Sequence, residues 1–136
     1  MAAASFNSAL ELNPMLAEAH NSLGRVLKKQ GKIEDGITCY RRALELRPHF
    51  AEALNNLGNA LGEQGKLDES VACFQQALDA NPDFAEAHNN MAIAYVALGR
   101  VSEALNSHVH ALKLMPDNAE AHWNLGLALL QSGDFA

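Results

Sequence analysis

Residues 17–50 read AEAHNSLGRVLKKQGKIEDGITCYRRALELRPHF, and residues 51–84 read AEALNNLGNALGEQGKLDESVACFQQALDANPDF. Laid one above the other, the two stretches agree at 15 of 34 positions. Among the matches are Ala17/Ala51, Leu23/Leu57, Gly24/Gly58, Gly31/Gly65, Ala43/Ala77 and Pro48/Pro82. Residues 85–118 continue the period with Ala85, Met91, Ala92, Gly99, Ala104, Ala111 and Pro116, and residues 119–136 begin it again with Ala119, Leu125, Gly126 and Gly133. Upstream, Phe6, Ala9, Leu12 and Pro14 match the back half of the unit. The expected organisation is a single array of partial repeat 1–16, whole repeats 17–50, 51–84 and 85–118, and partial repeat 119–136. A fixed period of this length is the mark of a solenoid, in which each unit buries its apolar face only against the next.

Each unit reads as two helices. Ala19, Leu23, Val26 and Leu27 recur at helical spacing and make one apolar stripe. Gly31 ends that helix, as a residue that tolerates the left-handed conformation. A second stripe, Ile33, Ile37, Tyr40, Ala43 and Leu44, runs up to Pro48, which no helix interior accommodates. The pattern predicts helices over 2–12, 18–30, 34–46, 52–64, 68–80, 86–98, 102–114 and 120–131. Gly24, Gly58, Ala92 and Gly126 fall mid-helix in one column, where glycine costs about 1 kcal/mol against alanine. A cost repeated at one column implies a repeated gain. The gain expected is close packing by Tyr40, Phe74 and His108 from the second helices.

Small residue, Leu, Gly, then Tyr or Leu, Gly, Ala, aromatic, Ala and Pro at a 34-residue period is a pattern that resembles the tetratricopeptide repeat, in register along essentially the whole chain. The resemblance implies an all-α fold, a right-handed superhelical solenoid of antiparallel helix hairpins, with first helices lining a concave groove. Gly36 and Ser70 stand where the family prefers Ala, and His108 where it prefers an aromatic. These departures are expected to loosen the packing of their hairpins.

On that geometry, one inward column is Ser22, Asn56, Asn90 and Asn124, and its neighbour is Asn21, Asn55, Asn89 and Trp123. An Asn amide donates and accepts from one short side chain, so it pairs with a peptide backbone whatever the peptide's side chains are. Asn56, Asn90 and Asn124 resemble the asparagine ladder in the repeat region of O-linked N-acetylglucosamine transferases, which holds extended polypeptides. The alternative is that these amides bond only within the array. Along the groove the expected wall changes character. It is basic at Arg25, Lys28 and Lys29, polar at Asn59 and Glu63, apolar at Ile93 and Val96, and apolar again at Trp123, Leu127 and Leu130. Trp is a frequent interface anchor. The expected peptide-binding residues are therefore Asn21, Arg25, Asn55, Asn56, Asn59, Asn89, Asn90, Trp123, Asn124 and Leu127, with Leu129 and Phe135 packing against further chain. A basic clamp for acidic C-terminal tails is not expected, because Glu86 or Glu120 stands where its later cations belong.

Composition narrows the function classes. The net charge of −6 disfavours nucleic acid, which needs a concentrated basic face. That charge is uneven. Residues 17–50 hold seven Lys/Arg against four Asp/Glu, whereas 51–84 hold one Lys against six acids. No stretch approaches the ~20 apolar residues of a membrane helix, and the opening MAAASFNSAL lacks a basic leader region. With two cysteines and no such leader, the cytoplasm is the expected compartment. His20, His88 and His122 lie a full repeat apart, too far to share a metal. Cys39 and Cys73, on successive second helices with axes roughly 8–10 Å apart, are too distant for a disulfide. Neither a cofactor site nor a nucleophile with its base is apparent, so no enzymatic activity is expected of these residues. The expected function is a scaffold that binds a protein or peptide in its groove. Two alternatives stay open: the substrate-adaptor region of a larger glycosyltransferase-like enzyme, and self-assembly of copies through the terminal helices.

Overall fold

The structure, a computed structural model, describes residues 15–117 and 119–132. These form α1 (Met15–Lys29), α2 (Ile33–Leu46), α3 (Ala51–Glu63), α4 (Leu67–Ala80), α5 (Ala85–Ala97), α6 (Val101–Leu114) and α7 (Ala119–Ser132), with no strand among the described residues. From α2 onward every helix begins one residue before its expected start, and α1 begins three before. The helix expected over 2–12 lies outside the described residues.

The first helix of each hairpin is closed by a repeated backbone device. Gly31 takes a φ of 84°, which a side chain would strain. Its N–H bonds the Lys28 carbonyl at 2.9 Å, and the Lys32 N–H reaches back to Leu27 at 2.9 Å. This is the paired closure of a Schellman motif, and it satisfies carbonyls that the helix end would orphan. Gly65 and Gly99 repeat it with φ of 80° and 78°. Between hairpins the chain turns at Pro48 and Pro82, where Phe50 N–H bonds Arg47 and Phe84 N–H bonds Asn81, each at 3.1 Å. At the first of these turns the Arg47 guanidinium lies 4.1 Å over the Phe50 ring.

Within each hairpin the two backbones meet at the small-residue column. A Cβ built on Gly24 would sit 2.6 Å from Tyr40 Cε1, and one on Gly58 would sit 2.7 Å from Phe74 Cε1. Both rings are buried, at 1% and 2% exposure. In the third repeat, Ala92 replaces the glycine and His108 replaces the ring. The smaller imidazole leaves room for the extra carbon. Two of the three departures expected to loosen packing, Gly36 and Ser70, do the opposite. A Cβ on Gly36 would fall 2.9 Å from the Gly24 carbonyl, so α1 and α2 approach too closely for alanine. Ser70, buried, donates from Oγ to the Gly58 carbonyl at 2.6 Å and fastens α4 to α3.

Each second helix also packs on the next first helix, and successive first helices touch one another. The core is therefore a chain of interfaces. Ile37 and Tyr40 of α2 pack with Leu57 and Leu61 of α3, and Phe74 and Leu78 of α4 pack with Leu54, Met91 and Ala94. Equivalent stripes fare differently at the ends. Ala53, Leu57, Ala60 and Leu61 are buried on α3, but Leu23 and Val26 on α1 are about half exposed, because no described element covers that side. Cys39 and Cys73 are free thiols. Burial pushes both above the ordinary thiol range, so they behave as small packing residues.

Two predictions follow the packing. Gly58→Ala gains helix propensity of about 1 kcal/mol but drives a carbon into a buried ring. It should lower unfolding stability by about 1–2 kcal/mol in urea titrations. Gly126→Ala, whose Cβ meets nothing within 4 Å, should leave stability unchanged or raised.

The second concerns pH. Burial holds His20, His88 and His108 below the ordinary histidine value of 6.5. Arg42 adds to the effect at His20, and the Pro82 carbonyl partly opposes it at His88. Both ring nitrogens of His108 lack a hydrogen-bond partner among the described residues. With the folded value depressed, the unfolded chain takes up protons first, so stability falls as pH drops below about 6.5. Thermal melts at about pH 7.5 and about pH 5.5 should show that loss. His108→Phe combined with Ala92→Gly, which rebuilds the Gly58/Phe74 pair, should reduce it.

Candidate functional site

The side-by-side first helices present one continuous face. On α3 it carries Glu52, Asn56, Asn59 and Glu63, and on α5 it carries Glu86, Asn90, Ile93 and Ala97. Each set is spaced at one helical turn and is half-buried or exposed. Arg25 and Lys29 hold the matching positions on α1 and are exposed.

The two asparagine columns divide the work between them. Asn21, Asn55 and Asn89 are buried, at 4%, 2% and 3% exposure, rather than open to the groove as the sequence suggested, though Asn55 borders a small cavity with Arg25, Glu52, Asn56 and Glu86. Adjacent residues on a helix point about 100° apart, so only one of a pair can face outward. The buried column is tied to the half-buried one across repeats. Asn56 Nδ2 donates to Asn21 Oδ1 at 2.9 Å, and Asn90 Nδ2 donates to Asn55 Oδ1 at 3.1 Å. Each half-buried amide is thus held in a fixed orientation by a buried acceptor 35 residues earlier. It spends one N–H on that bond and keeps its carbonyl oxygen and second N–H for other partners. Asn124 holds the next position of the Asn56/Asn90 column in the sequence, and its side chain lies outside the described residues. The sequence held the signal for this brace, an Asn in one column followed one repeat later by an Asn in the next. It becomes legible only when the helix phase is known.

Charge and polarity vary along the face. Lys28 Nζ pairs with Glu63 Oε1 at 2.9 Å, bridging α1 to α3. Arg25 and Lys29 form no ion pair among the described residues. A cavity of about 330 Å³ opens between Arg25, Lys28, Lys29, Asn56 and Glu63, over the Tyr40 ring. A second of about 280 Å³ lies between Asn59, Asn90, Ile93, Ala94 and Ala97, over Phe74. Asn59 is half-buried at its rim. At the far end Trp123, Leu127 and Leu130 of α7 are exposed at 69%, 45% and 63%. Leu129 is half-buried, and Phe135 lies outside the described residues.

Away from the groove, His88 stacks on His110 with ring centroids 5.2 Å apart, joining α5 to α6. No sequence signal marks that pair. No group of three or more His, Cys, Asp or Glu side chains gathers in metal-binding proximity among the described residues, and no described helix is long and apolar enough to cross a membrane.

The TPR repeat family model matches residues 24–65, 58–99 and 94–133. No curated protein matches the chain. Solved structures share its fold. The first TPR domain of Spaghetti (RPAP3), bound to the HSP90 peptide SRMEEVD, superposes with a TM-score of 0.86 at 23% identity, covering 89% of this chain and 96% of that one. The second TPR domain of human RPAP3, in complex with the HSP70 peptide SGPTIEEVD, gives 0.81 at 26% identity, over 85% and 98%. A mutant of the Thermobaculum terrenum O-GlcNAc transferase gives 0.81 at 30% identity over 85% of this chain, which spans only 22% of that enzyme.

The Asn brace is measurable. Asn90→Ala leaves the buried Asn55 oxygen without its donor and should cost about 1–3 kcal/mol. Adding Asn55→Ala should cost less than the sum of the two single changes. A double-mutant cycle by chemical denaturation should return a coupling of about 0.5–1.5 kcal/mol.

Proposed function

This chain belongs to the tetratricopeptide repeat family, and we propose that it binds an extended polypeptide along the face of its first helices, as a non-catalytic recognition module in the cytoplasm. The observation that carries this reading is the braced pair Asn56 and Asn90. A peptide unit offers one N–H and one C=O. Each braced amide offers an acceptor and a remaining donor at a fixed orientation, so little ordering entropy is lost when the peptide arrives. Asn124 extends the series by one repeat, and Arg25, Asn59 and Leu127 supply contacts to side chains, with the exposed Trp123, in the column of Asn89, at the edge of the face.

Acidic peptides occupy two of the similar TPR structures. A run of acids fits this face poorly, because Glu52 and Glu86 are exposed on it beside Asn56 and Asn90. Backbone capture suits the face better than recognition of an acidic run. A second reading, that these repeats are the substrate adaptor of a larger glycosyltransferase-like enzyme, is supported by the 30% identity to the O-GlcNAc transferase. It shares the ladder and differs only in what the captured polypeptide is presented to.

Selection from a displayed random-peptide library, followed by anisotropy titration of the enriched peptides, tests the shared premise. Asn56→Ala, Asn90→Ala and Asn124→Ala together should weaken every enriched peptide by at least about tenfold, with helix content retained by circular dichroism. Unchanged affinities in a folded triple variant would overturn the ladder.

A further inference from the structure

Two of the cavities on the groove face stand at corresponding positions one repeat apart. Arg25, Lys28, Lys29, Tyr40, Asn56 and Glu63 around the first correspond, 34 residues on, to Asn59, Gly62, Glu63, Phe74, Asn90 and Ala97 around the second. Geometry is shared, and chemistry is not. In the first, three cations face one carboxylate, and that carboxylate is already paired with Lys28. Lys29 is left to attract an anion together with Arg25, which also borders a smaller cavity of about 150 Å³ shared with Glu52, Asn55, Asn56 and Glu86. In the second, the same positions hold Asn59, Gly62 and Glu63, and the far wall is Ile93, Ala94 and Ala97. Ile93 is 43% exposed there. With room for several waters at about 30 Å³ each and few polar groups to hold them, this cavity favours an apolar side chain.

We propose that the groove reads a pair of side chains on its polypeptide ligand, a carboxylate in the Arg25/Lys29 cavity and an apolar group in the Ile93/Ala97 cavity. The inference rests on the backbone-binding reading above, since the ladder sets the register. Asn56 stands at the first cavity and Asn90 at the second, so each side chain enters beside a backbone contact.

The spacing follows from repeat geometry. Neighbouring helices pack roughly 8–10 Å apart. A polyproline II strand advances about 9 Å per turn of three residues and returns side chains to the same side at that interval. A β-strand returns them after two residues, about 6.8 Å, or after four, about 13.6 Å, and neither interval matches that separation. The segment that fits a separation of roughly 8–10 Å is a polyproline II-like one carrying an Asp or Glu and an apolar residue three positions apart, in one chain direction.

The test uses the whole chain and fluorescein-labelled peptides of Pro, Ala and Ser that carry one Asp and one Leu. Some place the pair three apart, in both orders, and others place it adjacent or five apart. One order at the three-residue spacing should bind at least about tenfold tighter than every other arrangement, with the advantage shrinking at high salt. Arg25→Glu with Lys29→Glu should remove the benefit of Asp and favour Lys in its place. Ile93→Glu should remove the benefit of Leu. All three positions are exposed, and circular dichroism checks the fold of each variant. If all spacings bind alike and Asn56→Ala with Asn90→Ala weakens them all, the register inference is overturned and the backbone reading stands. If no peptide binds, both are overturned.

Discussion

Tyr40 and Phe74 lie so close to the backbones of α1 and α3 that a single carbon on Gly24 or Gly58 would fall within 2.6–2.7 Å of their rings. That approach fixes the separation and rotation of the two helices in a hairpin. The glycine's propensity cost is met by burial of a whole aromatic ring, which is worth more. Gly36 brings the same two backbones close a turn away, and Ser70 adds a buried hydrogen bond to the glycine's own carbonyl in the next hairpin. Where the ring shrinks to His108, the glycine becomes Ala92, so the contact is conserved in volume while its chemistry changes.

Because each hairpin is fixed in this way, successive hairpins meet in the same relation, and side chains recur at the same places along the groove. The Asn brace depends on that regularity. A bond from Asn56 to Asn21 and another from Asn90 to Asn55 share one geometry, with the donor one repeat and one residue beyond its acceptor. Each bond is worth little by itself in stability. Its larger consequence is that a half-buried amide, otherwise free to rotate, is presented in one orientation. The same regularity makes the two cavities equivalent in shape, so the charge difference between residues 17–50 and 51–84 becomes a difference between neighbouring binding positions rather than a diffuse property of the surface.

Much of the fold was legible in advance. The 34-residue period, the glycines at the turns and the prolines between hairpins are local constraints on backbone conformation, and local constraints survive in a linear sequence. The helices accordingly lie where the pattern placed them, offset at their starts by one residue from α2 onward. The pairing of the small column with Tyr40 and Phe74 was also readable, because a repeated cost at one position demands a repeated partner. Gly36 and Ser70 were misread, since a departure from a preferred residue says nothing about what the neighbouring helix does in response.

The sequence by itself determined that this chain is a stack of helical hairpins and which column of each first helix carries amides, because both follow from periodicity and composition at fixed spacing. Only the tertiary structure decided which of two adjacent asparagines faces out, which cations are left unpaired, and that two chemically unlike pockets share one shape. Those outcomes depend on helix rotation and on contacts between residues 35 positions apart, where the turn of about 100° from one residue to the next separates a buried acceptor from a half-buried recognition group.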